Sequence, residues 1–138
     1  MVQDIPFGEI KIGDKASIKK TVMETDLNLF AQITGDVNPV HLDEEYAKKT
    51  IFKTRIAHGM LTASFISAVL GTALPGANTI YLSQELVFKA PVKIGETVTT
   101  TVEVIEKVDR KRWLTFKTTV VNQDGVVVVD GKATVMKR

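Results

Sequence analysis

One aspartate, two histidines and a proline pose the chemical question. Residues 35 to 41 read GDVNPVH, so Asp36, Asn38 and His41 surround Pro39, and His58-Gly59 follows downstream. A carboxylate and an imidazole that share one water form a general acid/base pair, able to take a proton and return it. On an uninterrupted helix Asp36 and His41 would sit about 140° apart around the axis and could not meet. Pro39 forbids that helix and pushes Asn38 toward an extended conformation, which lets the chain turn and carry His41 back toward Asp36. The Asn38 amide can orient either partner or the water. Plainer readings of the same residues stand beside this one. Asp and Asn-Pro after a glycine commonly make a turn with local hydrogen bonds, and a single histidine is commonly a packing residue. A metal site built from His41, His58 and a carboxylate such as Asp43 has no HExxH motif behind it, so no metal is expected.

These residues need elements to hold them. At 138 residues the chain reads as a single domain over 1–138, long enough to bury close to 70% of its unfolded surface. It has no cysteine, which excludes disulfides and thiolate metal sites and points to a reducing, cytoplasmic setting. Eighteen basic against sixteen acidic residues give a net charge of +2, a balance that argues against a nucleic-acid partner. MVQDIPFGEI lacks the basic and apolar regions of a signal peptide. The apolar run at 60–74 is interrupted by Thr, Ser and Gly and is shorter than the roughly 20 residues of a membrane span, so no membrane partner is expected.

Alternation predicts a first strand at 15–23. Thr25 is expected to cap a helix whose stripe is Leu29, Phe30 and Ile33, and Gly35 to end it. A short polar helix is expected at 43–49. From Gly59 to about Leu74 apolar residues fall on nearly every side, which predicts a buried helix that something must wrap. Four strand candidates at 78–89, 96–109, 112–123 and 126–136 supply the wrapper. They are separated by LPGAN (74–78), by Pro91 with Gly95, by the basic turn Arg110 to Arg112 and by Asp124-Gly125. Hairpin-length connections predict antiparallel neighbours, and the run VVVV (126–129) predicts a strand covered on both faces. The fold class is therefore α+β.

Three blocks, FAQITGDVNPVH, RIAHGMLTASF and VFKAPVKIGETV, together resemble the MaoC-like, (R)-specific enoyl-CoA hydratase family. The resemblance implies a hot-dog fold, a long helix wrapped by a curved antiparallel sheet. It implies that Asp36 and His41 add water to a trans-2-enoyl-CoA to give the (R)-3-hydroxyacyl-CoA, with no cofactor, and that the Gly59 amide holds the thioester oxygen. It further implies a substrate tunnel near a dimer interface, so a homodimer or higher homo-oligomer is expected. Leu61, Ser64, Ser67 and Leu70 become candidate tunnel walls, with Ser67 and Leu70 bounding a short acyl chain. Asn38 joins the substrate-binding set, and His58 is assigned a structural role. Candidates for the phosphates of coenzyme A are Arg55, Lys89, Lys93 and Arg110-Lys111-Arg112, while Trp113 reads as an edge residue. Alternatives of different kinds are a 3-hydroxyacyl thioester dehydratase or thioesterase on CoA or acyl-carrier substrates, and a non-catalytic acyl-thioester binding subunit.

Overall fold

Strict alternation builds the largest surface of the molecule. In the computed structural model, which describes residues 1–138, strand β3 (Thr97–Val108) buries Val98, Thr100, Val102 and Val104 and turns Thr99, Thr101 and Glu103 outward. Strand β4 (Trp113–Asn122) does the same with Leu114, Phe116, Thr118 and Val120. With β1 (Lys15–Thr21), β2 (Thr79–Phe88) and β5 (Val127–Lys137) they form one antiparallel sheet of order β1-β3-β4-β5-β2. The helix at Gly59–Thr72 packs Leu61, Ala63, Ile66, Val69 and Leu70 on the inner face of that sheet, and these side chains belong to one cluster of 22 buried residues. Burial of this kind contributes about 1.5–3 kcal/mol per large side chain.

Several local expectations shift. Helix α1 (Glu24–Thr34) begins one residue before Thr25: the Met23 amide donates to the Asp26 carboxylate at 2.8 Å, so the cap is Asp26 reaching back. Its buried face is Leu27 and Ala31, whereas Leu29 and Ile33 are exposed, and it is Leu27 that joins the core cluster. Pro39 does more than stop a helix. It opens a short new one, α2 (Pro39–Leu42), since its missing N–H and fixed φ suit a first helical turn. A further turn, α3 (Glu44–Ala47), follows, and the long helix is α4.

The wrapping of α4 is incomplete. Met60, Ser64, Ser67, Ala68 and Gly71 remain exposed along one stripe, because a five-stranded sheet covers only one side. The run at 126–129 is likewise covered only in part. Val126 is exposed, and a register shift between Val120 and Val121 lets the adjacent Val128 and Val129 both turn inward. Strand β2, paired on one side only, leaves Tyr81, Leu82, Val87 and Phe88 exposed. No helix is long and apolar enough to cross a membrane.

Candidate active site

Gly35, at φ 80°, ends α1 in the left-handed conformation that glycine adopts without strain, and the chain leaves the helix toward the entrance of α4. Asp36 follows at once. Its Oδ1 accepts from the Asn38 amide at 3.2 Å, while the Asn38 side-chain oxygen accepts from the Val40 amide at 3.3 Å and caps α2. Asn38 therefore holds the bend with its oxygen, a role closer to the turn reading than to substrate contact. It obeys the rule for a residue before proline, with φ −54° and ψ 125°.

The bend does what the spacing suggested. His41, almost fully buried, comes back to the helix entrance, and its Nδ1 lies 2.7 Å from the Ile56 carbonyl. A carbonyl can only accept, so Nδ1 carries the proton and Nε2 of the neutral ring is a bare acceptor. The His58 ring stacks on that of His41 with centroids 3.9 Å apart, and its Nε2 donates to the Asp36 carbonyl at 3.0 Å. Phe30 closes the other side of His58 at 4.9 Å. His58 thus fixes the loop before α4 and, beyond that expectation, touches both members of the pair.

A carboxylate oxygen of Asp36 and a ring nitrogen of each histidine lie within 4.8 Å of one another. Two acceptors on one water, each at about 2.8 Å, stand roughly 4.5 Å apart, so this spacing fits a shared water. It fits a metal poorly, because lone pairs lie in the ring planes and rings tilted by only 26° direct them side by side instead of at one ion. Asp43 is elsewhere, its Oδ1 accepting from the Tyr46 amide to cap α3.

Burial holds the His58 imidazole below the ordinary histidine range, helped by the positive charge His41 can carry and opposed by the hydrogen bond to the Asp36 carbonyl. Its Nδ1 is buried without a partner. An unfolded histidine titrates near 6.5, so below that pH the unfolded chain binds the extra proton more readily than the folded one. The stabilising effect is present above the unfolded value and lost as pH falls through the folded one. Melting temperature is accordingly expected to be lower at pH 5 than at pH 7, and His58→Gln to reduce that difference, as a thermal scan at the two pH values would read. The carboxylates held low, Asp4 by Lys137 and Glu44 by Thr54, act at more acid pH and leave this window clear.

Gly59 opens α4, and neither its amide nor that of Met60 has an acceptor in the chain. The helix dipole adds positive potential at the same place. A Cβ on Gly59 would meet the Phe88 ring at 2.9 Å, so a side chain here would crowd the approach. Gly59 and His41 line one cavity of about 320 Å³ with Phe52, Thr62, Phe88 and Lys89. A second cavity, of about 490 Å³, starts beside it at Met60 and Phe30 and runs along Ser64 and Ser67 against Tyr81 to Gln84 of β2. The expected wall residues thus divide. Ser64 and Ser67 face the second cavity, whereas Leu61 and Leu70, 7% and 1% exposed, turn to the core and line neither.

The residues 9–126 match the family described as the MaoC like domain. This chain belongs to the MaoC-like family. Among its relatives, an (R)-specific enoyl-CoA hydratase of Rhodospirillum rubrum is 57% identical over 130 residues, covering 94% of this chain and 90% of the relative. A 3-hydroxybutyryl-CoA dehydratase of Methylorubrum extorquens is 47% identical over 129 residues, covering 94% and 82%. The solved structure of the R-hydratase PhaJ1 from Pseudomonas aeruginosa, unliganded, superposes with a TM-score of 0.94 at 50% identity, covering 99% of this chain and 87% of that one. The expected hot-dog α+β fold is borne out.

Within this MaoC-like site the basic candidates also separate. Lys89 lines the cavity of His41 and Gly59. The turn Arg110 to Arg112 lies at the opposite end of the sheet, since Phe88 pairs with Val129 whereas Trp113 and Ile80 both pair with Met136. There Lys111 stacks over Trp113 at 4.3 Å, and Arg112 Nε donates to the Lys137 carbonyl. Arg55 is not a surface cation at all. It is buried, its Nε donating to the His41 carbonyl at 2.7 Å and its Nη1 to Glu24 at 2.7 Å. No sequence signal distinguished it from any exposed arginine, and the pressing of Phe88 on Gly59 was equally silent.

Proposed function

We propose that this chain is an (R)-specific enoyl-CoA hydratase, adding water to a short trans-2-enoyl-CoA. One observation carries the reading: a carboxylate oxygen of Asp36 and a ring nitrogen of His41 lie within 4.8 Å, a spacing that suits two acceptors on one water, and His41 shares a cavity with Gly59, whose amide has no acceptor in the chain. The thioester oxygen accepts from the Gly59 and Met60 N–H groups. A water donates one hydrogen to Asp36 and the other to His41, which leaves an oxygen lone pair for C3. As the C3–O bond forms, the π pair of the double bond moves toward the thioester, and the charge on its oxygen is held by the helix amides. Nε2, the bare acceptor of a ring whose Nδ1 is tied to the Ile56 carbonyl, takes the water's proton, Asp36 stabilises the imidazolium, and the proton is delivered to C2. Both parts of the water arrive from one side, which fixes the product's handedness.

The acyl chain runs from Met60 past Ser64 and Ser67, and Lys89 at the other cavity meets a phosphate of coenzyme A. A second copy of the chain covers the open stripe. The unpaired edge of β2 and the exposed Leu29, Ile33, Met60, Tyr81 and Leu82 are surface of the kind that a homodimer buries. A cytoplasmic location suits the absence of cysteine.

The test is to mix purified protein with crotonyl-CoA, follow the loss of enoyl-thioester absorbance and determine product chirality. The expected product is (R)-3-hydroxybutyryl-CoA, and the same enzyme dehydrates that product when supplied with it. Free coenzyme A would mean a thioesterase, as the fold supports both chemistries. Binding without turnover would mean a non-catalytic subunit, and the (S) product would reject the site as drawn.

A further inference from the structure

We infer that Arg55 is a positioning residue that sets the separation of Asp36 and His41, an inference that rests on the function proposed for that pair. The segments 40–41 and 55–56 are tied three times. The Ile56 amide donates to the Val40 carbonyl at 3.3 Å, His41 Nδ1 donates to the Ile56 carbonyl at 2.7 Å, and Arg55 Nε donates to the His41 carbonyl at 2.7 Å. The third tie is the charge-assisted one, and it is buried. The same guanidinium uses Nη1 to bind Glu24, the first residue of α1, the helix whose far end delivers Asp36.

One planar group therefore bridges the element that carries the carboxylate and the peptide that carries the imidazole. A rigid fork with donors in fixed directions sets the relation between two partners, which a lysine ammonium on a flexible stem does not. The base of the brace is itself anchored. Glu44 accepts from the Arg55 amide at 3.1 Å and from the Thr54 hydroxyl, so residue 55 is held from both its main chain and its side chain. Burying a guanidinium is costly without such pairing, and only 10% of the Arg55 side chain is exposed.

The test compares the full-length protein with Arg55→Met, Arg55→Lys and Glu24→Gln, using crotonyl-CoA and crotonyl-pantetheine. Arg55→Met is expected to lower kcat by at least about tenfold on both substrates, with KM for crotonyl-CoA changed less than about threefold, because misplacing a base by a fraction of an ångström is felt in turnover. Arg55→Lys is expected to recover only part of that loss. Glu24→Gln, which keeps the bond to the His41 carbonyl, should show a smaller one. A readout independent of activity is the exchange of the His41 Nδ1 proton by NMR, expected to be at least about tenfold faster in Arg55→Met as its local opening becomes easier.

A rise in KM seen with crotonyl-CoA and absent with crotonyl-pantetheine would overturn the inference in favour of a phosphate ligand. A fall in melting temperature with kcat and proton exchange unchanged would reduce Arg55 to a packing role. If Arg55→Met fails to fold, Arg55→Lys decides, and wild-type turnover and exchange in that variant would sink the inference. Failure of the wild type to hydrate crotonyl-CoA would count against the proposed function alone, since the exchange measurement reads the brace without turnover.

Discussion

Asp36→Asn is expected to lower turnover on crotonyl-CoA by at least about a hundredfold, the usual contribution of an acid/base group, while the fold survives. The substitution keeps the side-chain oxygen that accepts from the Asn38 amide, so the bend loses no hydrogen bond. What it loses is the charge that orients the water and steadies the imidazolium. His41→Asn makes the complementary cut. The asparagine Nδ2 can stand where Nδ1 donates to the Ile56 carbonyl, but nothing replaces Nε2, so a comparable loss is expected with a folded protein. Because both residues grip one water, the double variant should be scarcely worse than either single one, as happens when groups act as a unit. Circular dichroism and a melting curve beside the kinetics separate the outcomes. An unfolded Asp36→Asn would return the loop to a turn-making role, and fully additive losses would argue against a shared water.

The sheet was legible because its signal is redundant. Val98, Val102 and Val104 repeat one face, and Asp124-Gly125 marks one turn, so neighbouring residues all point to one answer. The inner side of α4 was legible for the same reason. Its outer side was not, because Ser64, Ser67 and Ala68 read as tolerable inside a helix whether or not anything covers them. The stripe of α1 misled in the opposite sense. Leu29 and Ile33 look like core, yet tertiary placement put Leu27 and Ala31 inward and left Leu29 and Ile33 to face outward. At the site, Asp36, Asn38, Pro39 and His41 could be joined on paper because the proline restricts the local backbone. The approach of His58 to that pair, and of Arg55 to the His41 carbonyl, depends on where residues 55–58 come to lie after an intervening helix and turn. No spacing rule reaches across such a connection.

Leu70→Ala is expected to do two things at once, and the pair of effects tests how the substrate channel ends. Leu70 is 1% exposed in the core cluster, so removing its side chain should cost about 2–5 kcal/mol, the range for truncating a packed leucine. In a domain of this size that corresponds to a fall in melting temperature on the order of 10 °C. The second effect follows from position. Leu70 lies one helical turn beyond Ser67, which lines the far stretch of the second cavity, about 12 Å along the axis from Gly59. Leu70 itself lines neither cavity, so the prediction is that the space freed by the truncation opens onto that stretch and extends the channel toward the core, where a longer acyl chain gains apolar contact by filling it. The ratio of kcat/KM for a six- or eight-carbon enoyl-CoA to that for crotonyl-CoA should therefore rise in Leu70→Ala. A saturating long-chain substrate or product should restore part of the lost melting temperature, because a ligand that binds only the folded state stabilises it. A variant that melts early with the chain-length ratio unchanged would leave Leu70 as core alone and put the end of the channel at Ser67 and the facing residues of β2.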